Sequence, residues 1–128
     1  MPVHFCLGDM RDMDQHLSGY FDSICFVASF HHLEYEDERI TVLQKSKKLL
    51  SKDGKISMLN WHLLNLPQYA DSQTLQYSNE SADYGIKIGE HTRFYHAFSI
   101  KEYEDLAEKV GMNITIIPSE NNVLTIWS

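Results

Sequence analysis

The stretch from Ser23 to Ser29, SICFVAS, is an almost unbroken run of apolar and β-branched residues. Runs of this kind are typical of a strand covered on both faces, as in a parallel sheet. A helical pattern follows over residues 35–50, with acidic residues in its first turn and Gly54 as the expected stop. The segment 55–61 predicts another strand. Strand, helix and strand in this order predict a right-handed βαβ unit, and therefore an α/β fold.

The flanking segments predict further elements. Residues 3–7 indicate a short buried strand. Residues 62–98 show no sustained period, and we expect either an irregular lid or substrate loop, or a helix with a meandering connection. Ser99 and Glu102 form a capping box at the start of a helix that Gly111 ends. Residues 113–118 and 123–127 flank a turn and predict a terminal antiparallel hairpin.

Composition limits the classes of function. The 128 residues suffice for one domain, and a net charge of −7 disfavours unaided binding to nucleic acid. Cys6 and Cys25 each lie in an apolar segment, so we expect two buried thiols in a reducing compartment. The apolar runs are shorter than a membrane span, and no secretory signal precedes them. We therefore expect a cytoplasmic protein without a membrane partner. The chain enters a strand almost at once, which suggests a domain joined in its middle.

Ligands of an open parallel sheet bind outside the carboxyl ends of its strands, and two such ends are visible. At the first end, Gly8 permits a sharp turn before Asp9. An Asp at this position accepts a hydrogen bond from an exocyclic amine or from ribose hydroxyls, while the next backbone N–H donates to a ring nitrogen. That pairing suits adenine. The alternative is that Asp9 only caps its own turn.

The second end is followed by Ala28, Ser29, Phe30, His31 and His32. The two small residues allow a ligand to approach the backbone, and Phe30 offers a ring for stacking. Consecutive histidines lack the i, i+4 spacing of helical metal ligands, and no third ligand follows at a recognised spacing, so we expect no metal. A general base at one of the histidines and a turn without chemistry both remain open.

A third cluster, residues 91–98, places Arg93 between two histidines and among aromatic residues. It suits an anionic or aromatic substrate, or it is a strand whose polar ends reach solvent. The sequence contains no glycine-rich phosphate loop, no G-x-S-x-G elbow and no nucleophile–base pair that spacing reveals. Covalent catalysis is therefore not indicated.

Together these segments resemble a known family. The order of GDMRD, FDSICFVASFHHL, a helix, LLSKDGKISMLNW, RFYHAF and a hairpin resembles the C-terminal portion of a class I S-adenosylmethionine-dependent methyltransferase. RFYHAFSIKEYEDLAEKVG is similar to the R-Y-Y-H-x-F-x-x-x-E-L segment of the wobble-uridine tRNA methyltransferases and their bacterial relatives. The resemblance covers nearly the whole chain. It implies a truncated Rossmann-like fold in a single partial domain, residues 1–128, with a mixed sheet and an insert at about 62–98.

The resemblance also implies roles for individual residues. Asp9 and the Met10 backbone would lie against the adenine of S-adenosylmethionine, and Ala28, Ser29 and Phe30 would border its methionine end and the methyl group. The acceptor would face a tentative set of five residues, namely His31, His32, Arg93, Tyr95 and His96. Phe94 stands where the family prefers Tyr. The implied reaction is direct displacement at the sulfonium methyl, which requires alignment of donor and acceptor rather than a nucleophile.

The sequence departs from the family in what precedes these segments. The first two βα units, about 60 residues at about 30 per unit, have no counterpart, and these include the glycine-rich loop. In the family the strands lie in the order 3-2-1-4-5-7-6, so residues 23–29 would form an open edge. We expect very weak cofactor binding or none by this chain alone, and association with a partner protein or a second copy through that edge. The acceptor would be a modified tRNA uridine or a small molecule, and a non-catalytic, truncated or split chain is the alternative.

Overall fold

The computed structural model describes residues 2–65, 73–77 and 82–128, and it contains a four-stranded and a three-stranded sheet. The larger sheet has the order β1 (Phe21–Val27), β2 (Leu50–Trp61), β7 (Asn122–Trp127) and β6 (Ile114–Pro118). β1 and β2 are parallel, whereas β7 is antiparallel to both of its neighbours. The α/β class, the strand–helix–strand unit and the terminal hairpin are therefore confirmed. In the numbering of the family, this order corresponds to 4-5-7-6, which is the order that the resemblance implies for the last four strands.

Three helices accompany the strands. α1 (Met13–His16) follows a 3-10 turn at Met10–Asp12, α2 (Glu36–Leu49) joins the parallel strands, and α3 (Ile100–Val110) precedes the hairpin. The N-cap predicted at Ser99 is confirmed, because its side chain accepts a hydrogen bond from the Glu102 N–H at 3.1 Å. Gly111 ends α3 in the left-handed conformation, with φ of 65°. No helix among the described residues is both long and apolar enough to cross a membrane.

The expected stop of α2 at Gly54 is wrong. The helix ends at Leu49, and Leu50 is already extended as the first residue of β2. Gly54 lies within β2, where an added Cβ would stand 2.8 Å from the Phe21 carbonyl oxygen. The pairing of β1 with β2 shifts register between Phe21 and Ser23. The glycine thus serves a close backbone approach at this irregularity rather than the end of a helix.

One face of the larger sheet packs against α2 and α3. Ile56, Met58, Val123 and Trp127 on this covered face are almost fully buried, together with residues of both helices: Val42, Leu43, Tyr103, Leu106, Ala107 and Val110. The opposite face carries Val27, whose side chain is 67% exposed, and Cys25, which is also exposed. The expectation that residues 23–29 are covered on both faces is therefore wrong. Among the described residues, both long helices lie on the same side of the sheet.

The N-terminal segment does not form the expected buried strand. Val3, Phe5 and Leu7 are 72%, 95% and 100% exposed, and residues 2–9 belong to neither helix nor strand. A strand requires a neighbour for its backbone hydrogen bonds, and no strand in the described part of the chain pairs with this segment. The expectation of buried thiols is also wrong. Cys6 is exposed in this segment, and Cys25 is exposed on the uncovered face of the sheet.

The region 62–98 contains regular structure rather than the expected irregular insert. β3 (Gln73–Tyr77), β4 (Ala82–Ile88) and β5 (His91–Ala97) form an antiparallel sheet in that order. Gly89, with φ of 63°, and Glu90 make a two-residue turn between β4 and β5. Within the expected insert, residues 66–72 and 78–81 lie outside the described part of the chain. Apart from a 3-10 turn at Leu63–Asn65, the described residues of this region contain no helix.

Candidate ligand site at the carboxyl ends of the parallel strands

The two parallel strands end side by side. Val27, the last residue of β1, pairs with Leu59 of β2, and the Ala28 N–H donates to the Leu59 carbonyl at 2.8 Å. The chain then turns at once into a 3-10 turn, Phe30–His32. This edge of the sheet is where open α/β sheets bind ligands. It carries the predicted site residues from Ala28 to His32.

Ala28 has a strained backbone. Its φ is 48°, the only positive φ of a residue other than glycine among the described residues. A left-handed conformation costs an L-residue about 1–2 kcal/mol. Backbone outliers of this kind concentrate at binding and catalytic sites, where the surrounding structure maintains the strain. Ala28, whose small side chain predicts close approach of a ligand, is therefore also the residue with the strained backbone at this strand end.

A cleft of about 540 Å³ opens beside this edge. Two segments and one helical residue line it, namely residues 8–11, residues 32–35 and Glu38. The cleft thus brings the predicted cofactor residues Asp9 and Met10 into one cavity with His32, which was predicted to bind the acceptor. Its volume is in the range of sites for small molecules and cofactors. Ala28, Ser29 and Phe30 are not among its lining residues.

Asp9 caps its own turn, which confirms the simpler of the two interpretations. Its carboxylate accepts from the Arg11 N–H at 2.9 Å and pairs with the Arg11 guanidinium at 2.7 Å. These hydrogen bonds lower the pKa of Asp9 to about 2. Arg11 reaches across the cleft to Glu38, also at 2.7 Å. The contact of Asp9 with adenine stays a prediction, and a ligand there would meet a carboxylate that is already paired.

Phe30 does not offer its ring to a ligand. The residue is fully buried, and its ring packs against Phe26 and Phe98 at centroid distances of 5.9 and 5.8 Å. The expectation that this ring stacks on a bound group is therefore wrong. Only the backbone of Phe30 remains a candidate for cofactor contact.

His31 and His32 have different environments. His31 is fully buried, and its Nδ1 accepts from the Trp61 N–H at 3.2 Å, so its proton resides on Nε2. Burial, with smaller effects from His32 and Arg93, lowers the pKa of His31 to about 3. An imidazole with so low a pKa is a poor general base near neutral pH. The hypothesis of a general base is therefore wrong for His31.

His32 is half-buried and contributes to the cleft wall. Its Nδ1 lies 2.8 Å from the Phe94 carbonyl oxygen and donates to it. The other ring nitrogen is then the acceptor of the neutral ring. Burial lowers the pKa of His32, and hydrogen bonds to the Phe94 and Ala28 backbones oppose this effect. Of the two histidines, His32 is the one that lines the cleft.

The three residues predicted from β5 do not face one site. Tyr95 is buried, stacks on Trp61 at 5.0 Å and contacts the rings of His31 and His32. Arg93 is two residues away on the same face of β5 and is exposed. His96 lies on the opposite face, since side chains alternate along a strand. The expectation that all three face the acceptor is therefore wrong for His96.

His96 instead joins a polar network that the sequence did not reveal. Its Nδ1 makes a short contact with Asp83 of β4, and its Nε2 lies 2.6 Å from Glu102 of α3. Two carboxylates therefore flank this ring, one at each of its nitrogens. Arg39 of α2 is buried, pairs with Glu102 at 3.7 Å and donates to the Leu33 carbonyl at 3.0 Å. The network holds the smaller sheet against the two long helices.

The described residues contain no group of three or more His, Cys, Asp or Glu side chains that could hold a metal ion. A second cavity of about 260 Å³ lies on the other side of Asp9 and Met10, between the N-terminal segment, α1 and β1. Cys6, Gly8, His16 and Cys25 are among its lining residues. No sequence pattern predicts this cavity, because it depends on the N-terminal segment, whose apolar pattern predicts a strand.

The fold has known counterparts among solved structures. No protein-family model and no curated protein matches the sequence. An S-adenosylmethionine-dependent methyltransferase from Clostridium acetobutylicum is similar, with a TM-score of 0.68 and 11% identity over 96% of this chain and 63% of its own. The glycopeptide N-methyltransferase MtfA, complexed with S-adenosyl-L-homocysteine, gives 0.65 and 14% over 95% and 59%.

A third similar structure is a Burkholderia thailandensis 1,6-didemethyltoxoflavin-N1-methyltransferase with bound 1,6-didemethyltoxoflavin and S-adenosylhomocysteine. Its TM-score is 0.60, with 16% identity over 92% of this chain and 47% of its own. The chain therefore has the Rossmann-like fold of S-adenosylmethionine-dependent methyltransferases. It spans less than two thirds of the length of each of these three proteins.

Proposed function

We propose that this chain is part of a methyltransferase that uses S-adenosylmethionine. One observation carries the proposal: the sheet order β1-β2-β7-β6, with antiparallel β7 between β2 and β6, in a fold that matches solved methyltransferases over most of this chain. A strained turn and a cleft lie at the carboxyl end of β1, where such folds bind ligands. Both features support cofactor binding at this edge.

The residues divide into two proposed roles. The cofactor would contact Asp9, the Met10 backbone and the turn formed by Ala28, Ser29 and the Phe30 backbone. S-Adenosylmethionine supplies an activated methyl group on a good leaving group. The chain's own residues would then orient the acceptor, with His32 as the acceptor of a proton or hydrogen bond and Tyr95 as a wall behind it. Alignment and exclusion of water are the contributions that this reaction needs from a protein.

We propose a small molecule as the methyl acceptor. MtfA is described as a glycopeptide N-methyltransferase, and the Burkholderia enzyme is described with 1,6-didemethyltoxoflavin bound. A tRNA uridine, which the resemblance of residues 93–111 implies, receives no support from these structures, and His96 is engaged by two carboxylates. A net charge of −7 also opposes RNA binding unless a partner supplies a basic surface.

We further propose that the cofactor wall formed by this chain is one side of a larger site. The sequence has no glycine-rich loop, and no described strand pairs with the outer edge of β1. Binding of S-adenosylmethionine by this chain alone should therefore be weak. Further polypeptide, in this protein or in a partner, would supply the remaining contacts, and a purely non-catalytic chain is the competing hypothesis.

Photo-cross-linking with methyl-labelled S-adenosylmethionine tests the proposal, because a covalent label detects weak binding. We expect label on peptides that contain Met10 or His32, and we expect excess S-adenosylhomocysteine to suppress it. Met10→Gln should reduce the label. Met112→Gln is the matched control, since Met112 is also half-buried and packs against the same core but does not line the cleft. Label that resists competition, or that maps to the hairpin β6–β7, would contradict the proposal.

A further inference from the structure

The two cysteines of the chain line one cavity. Cys6 and Cys25 are 19 positions apart, yet both line the 260 Å³ cavity between the N-terminal segment and β1. Both thiols are free and exposed. Exposed cysteines are uncommon, because a thiol usually behaves as a small buried apolar group. Their shared position is therefore a feature that ordinary packing does not explain.

Cys25 has two hydroxyl groups as hydrogen-bonding neighbours. Its Sγ lies 3.1 Å from the Ser57 hydroxyl oxygen and 3.6 Å from that of Ser23. Hydrogen bonds from Ser57, and to a smaller degree Ser23, lower the pKa of the Cys25 thiol. The thiolate is the form of cysteine that attacks oxidants, and accessible thiols of lowered pKa are the usual sites of redox chemistry.

Cys6 lies on a segment without strand pairing. Residues 2–9 belong to no helix or strand, so the backbone around Cys6 is not fixed by a hydrogen-bond ladder. A disulfide requires Cα atoms about 4.4–6.8 Å apart, and cysteines outside that range can be bridged only if the backbone moves. Gly8 permits the segment to lie close to α1, because an added Cβ there would stand 2.8 Å from the His16 ring. Cys6 therefore lies beside the same cavity as Cys25, on a backbone that no strand pairing holds in place.

We propose that Cys6 and Cys25 form a reversible disulfide when the chain meets hydrogen peroxide. The Cys25 thiolate attacks one peroxide oxygen, which breaks the O–O bond, gives the sulfenic acid and releases hydroxide. The Cys6 thiol then attacks the Cys25 sulfur, so that the S–S bond forms and the sulfenic oxygen leaves as water after taking up the Cys6 proton. Two thiols lose two electrons, and one peroxide becomes two waters once the hydroxide is protonated. In a reducing compartment such a bond is transient and signals oxidation.

The disulfide would reach the candidate ligand site. Gly8, Asp9 and Met10 line both cavities, and only Leu7 separates them from Cys6 along the chain. A covalent bond from Cys6 to β1 would fix these residues against the strand edge. The pair therefore provides a way for oxidation to change the shape of the cleft, whatever ligand the cleft binds.

The test is oxidation of the purified full chain with equimolar hydrogen peroxide, followed by alkylation and non-reducing mass spectrometry. We expect a monomer lighter by two hydrogen atoms, a cross-linked peptide pair containing Cys6 and Cys25, and full reversal by dithiothreitol. Cys6→Ser should instead accumulate a sulfenic acid at Cys25 that dimedone traps, whereas Cys25→Ser should give no internal disulfide and no trapped acid. Wild-type protein that forms only intermolecular disulfides, or that passes to sulfinic acid at Cys25 without a cross-link, would overturn the proposal. Circular dichroism of both variants verifies their folding.

Discussion

The two faces of the larger sheet are built from the same strands but differ in how deeply their side chains are buried. On the covered face, Ile56, Met58 and Trp127 are fully buried beneath α2 and α3. On the uncovered face, Val27 and Ile117 are 67% and 48% exposed. Since side chains alternate along each strand, the difference arises from where the helices lie and not from the strand sequences. The sheet is stabilised from one side only within the described part of the chain.

The uncovered face nevertheless includes an uncharged area. Paired residues form two rows across the four strands, and no member of either row is charged: Cys25, Ser57, Ile126 and Thr115 in one, Val27, Leu59, Leu124 and Ile117 in the other. The second row is entirely apolar. The face and the adjoining edge of β1 are therefore suited to contact with further polypeptide. This comparison leads to four predictions, from the largest effect to the smallest.

Truncation should be costly on the covered face and mild on the uncovered one. Trp127→Ala removes a fully buried side chain and leaves a cavity, so we expect a loss of about 3–5 kcal/mol in the free energy of unfolding. Leu124→Ala, three residues earlier on the same strand but on the uncovered face, should cost only about 1 kcal/mol or less. Urea denaturation measures both. Equal losses for the two variants would show that the faces are packed alike.

The polar network should be the main tie between the smaller sheet and the covered side. His96→Ala leaves Asp83 and Glu102 without their shared partner, and hydrogen bonds to charged groups contribute about 1.5–3 kcal/mol. We expect a loss of that size and faster hydrogen exchange in β4 and β5. His91→Ala, at an exposed position of the same strand, is the control. Unchanged exchange in β4 and β5 for His96→Ala would mean that apolar contacts alone hold this sheet.

Acid should lower the free energy of unfolding through His31, which lies at the end of β1. The folded-state pKa of His31, about 3, is below its usual 6.5, so the unfolded chain binds a proton that the folded chain does not. The stability from this residue is complete above about pH 6.5 and is lost as the pH falls toward 3. The slope approaches about 1.4 kcal/mol per pH unit. Urea unfolding at several pH values should show a shallower slope for His31→Asn than for wild type; parallel slopes would exclude this assignment.

Charge on the uncovered face should act on association rather than on folding. Leu124→Lys and Ile117→Lys place a cation in an uncharged row, yet surface substitutions usually change stability by about 0.5 kcal/mol or less. If a second copy contacts this face or the edge of β1, sedimentation velocity of wild type should show a concentration-dependent increase that both variants lack. Wild type that stays monomeric at every accessible concentration would leave a different polypeptide as the occupant.

The sequence predicted the parts of the fold that local patterns determine. The helix predicted over residues 35–50 is present at Glu36–Leu49. The N-cap at Ser99 and the terminal hairpin, which also follow from spacing within a few residues, are present as well. The segment from Val3 to Leu7 has an equally apolar pattern, but a strand exists only beside a neighbour. The prediction for Gly54 applied the usual rule that a glycine ends a helix. Gly54 lies instead within β2, where its backbone approaches the Phe21 carbonyl of the neighbouring strand too closely for a Cβ.

The candidate site shows the same limit. Asp9, Met10 and His32 line one cleft, as the order of strands and turns suggested, although their roles stay predictions. The difference between His31 and His32 depends on the Trp61 N–H and the Phe94 carbonyl, which are 30 and 62 positions away along the chain. The placement of Arg93 and His96 on opposite faces follows from strand alternation and was accessible once β5 was known. The network through Arg39 left no sequence signal.

The central claim is that the carboxyl end of β1 is one incomplete wall of a cofactor site. The most direct measurement is an amide NMR titration of the isotope-labelled chain with S-adenosylhomocysteine to millimolar concentration. We predict shifts confined to the amides of residues 8–11 and 28–35, with weak affinity that does not saturate at micromolar ligand. No shift in these two segments, or shifts centred on the hairpin β6–β7, would contradict the location. Saturation at micromolar ligand would contradict the incompleteness.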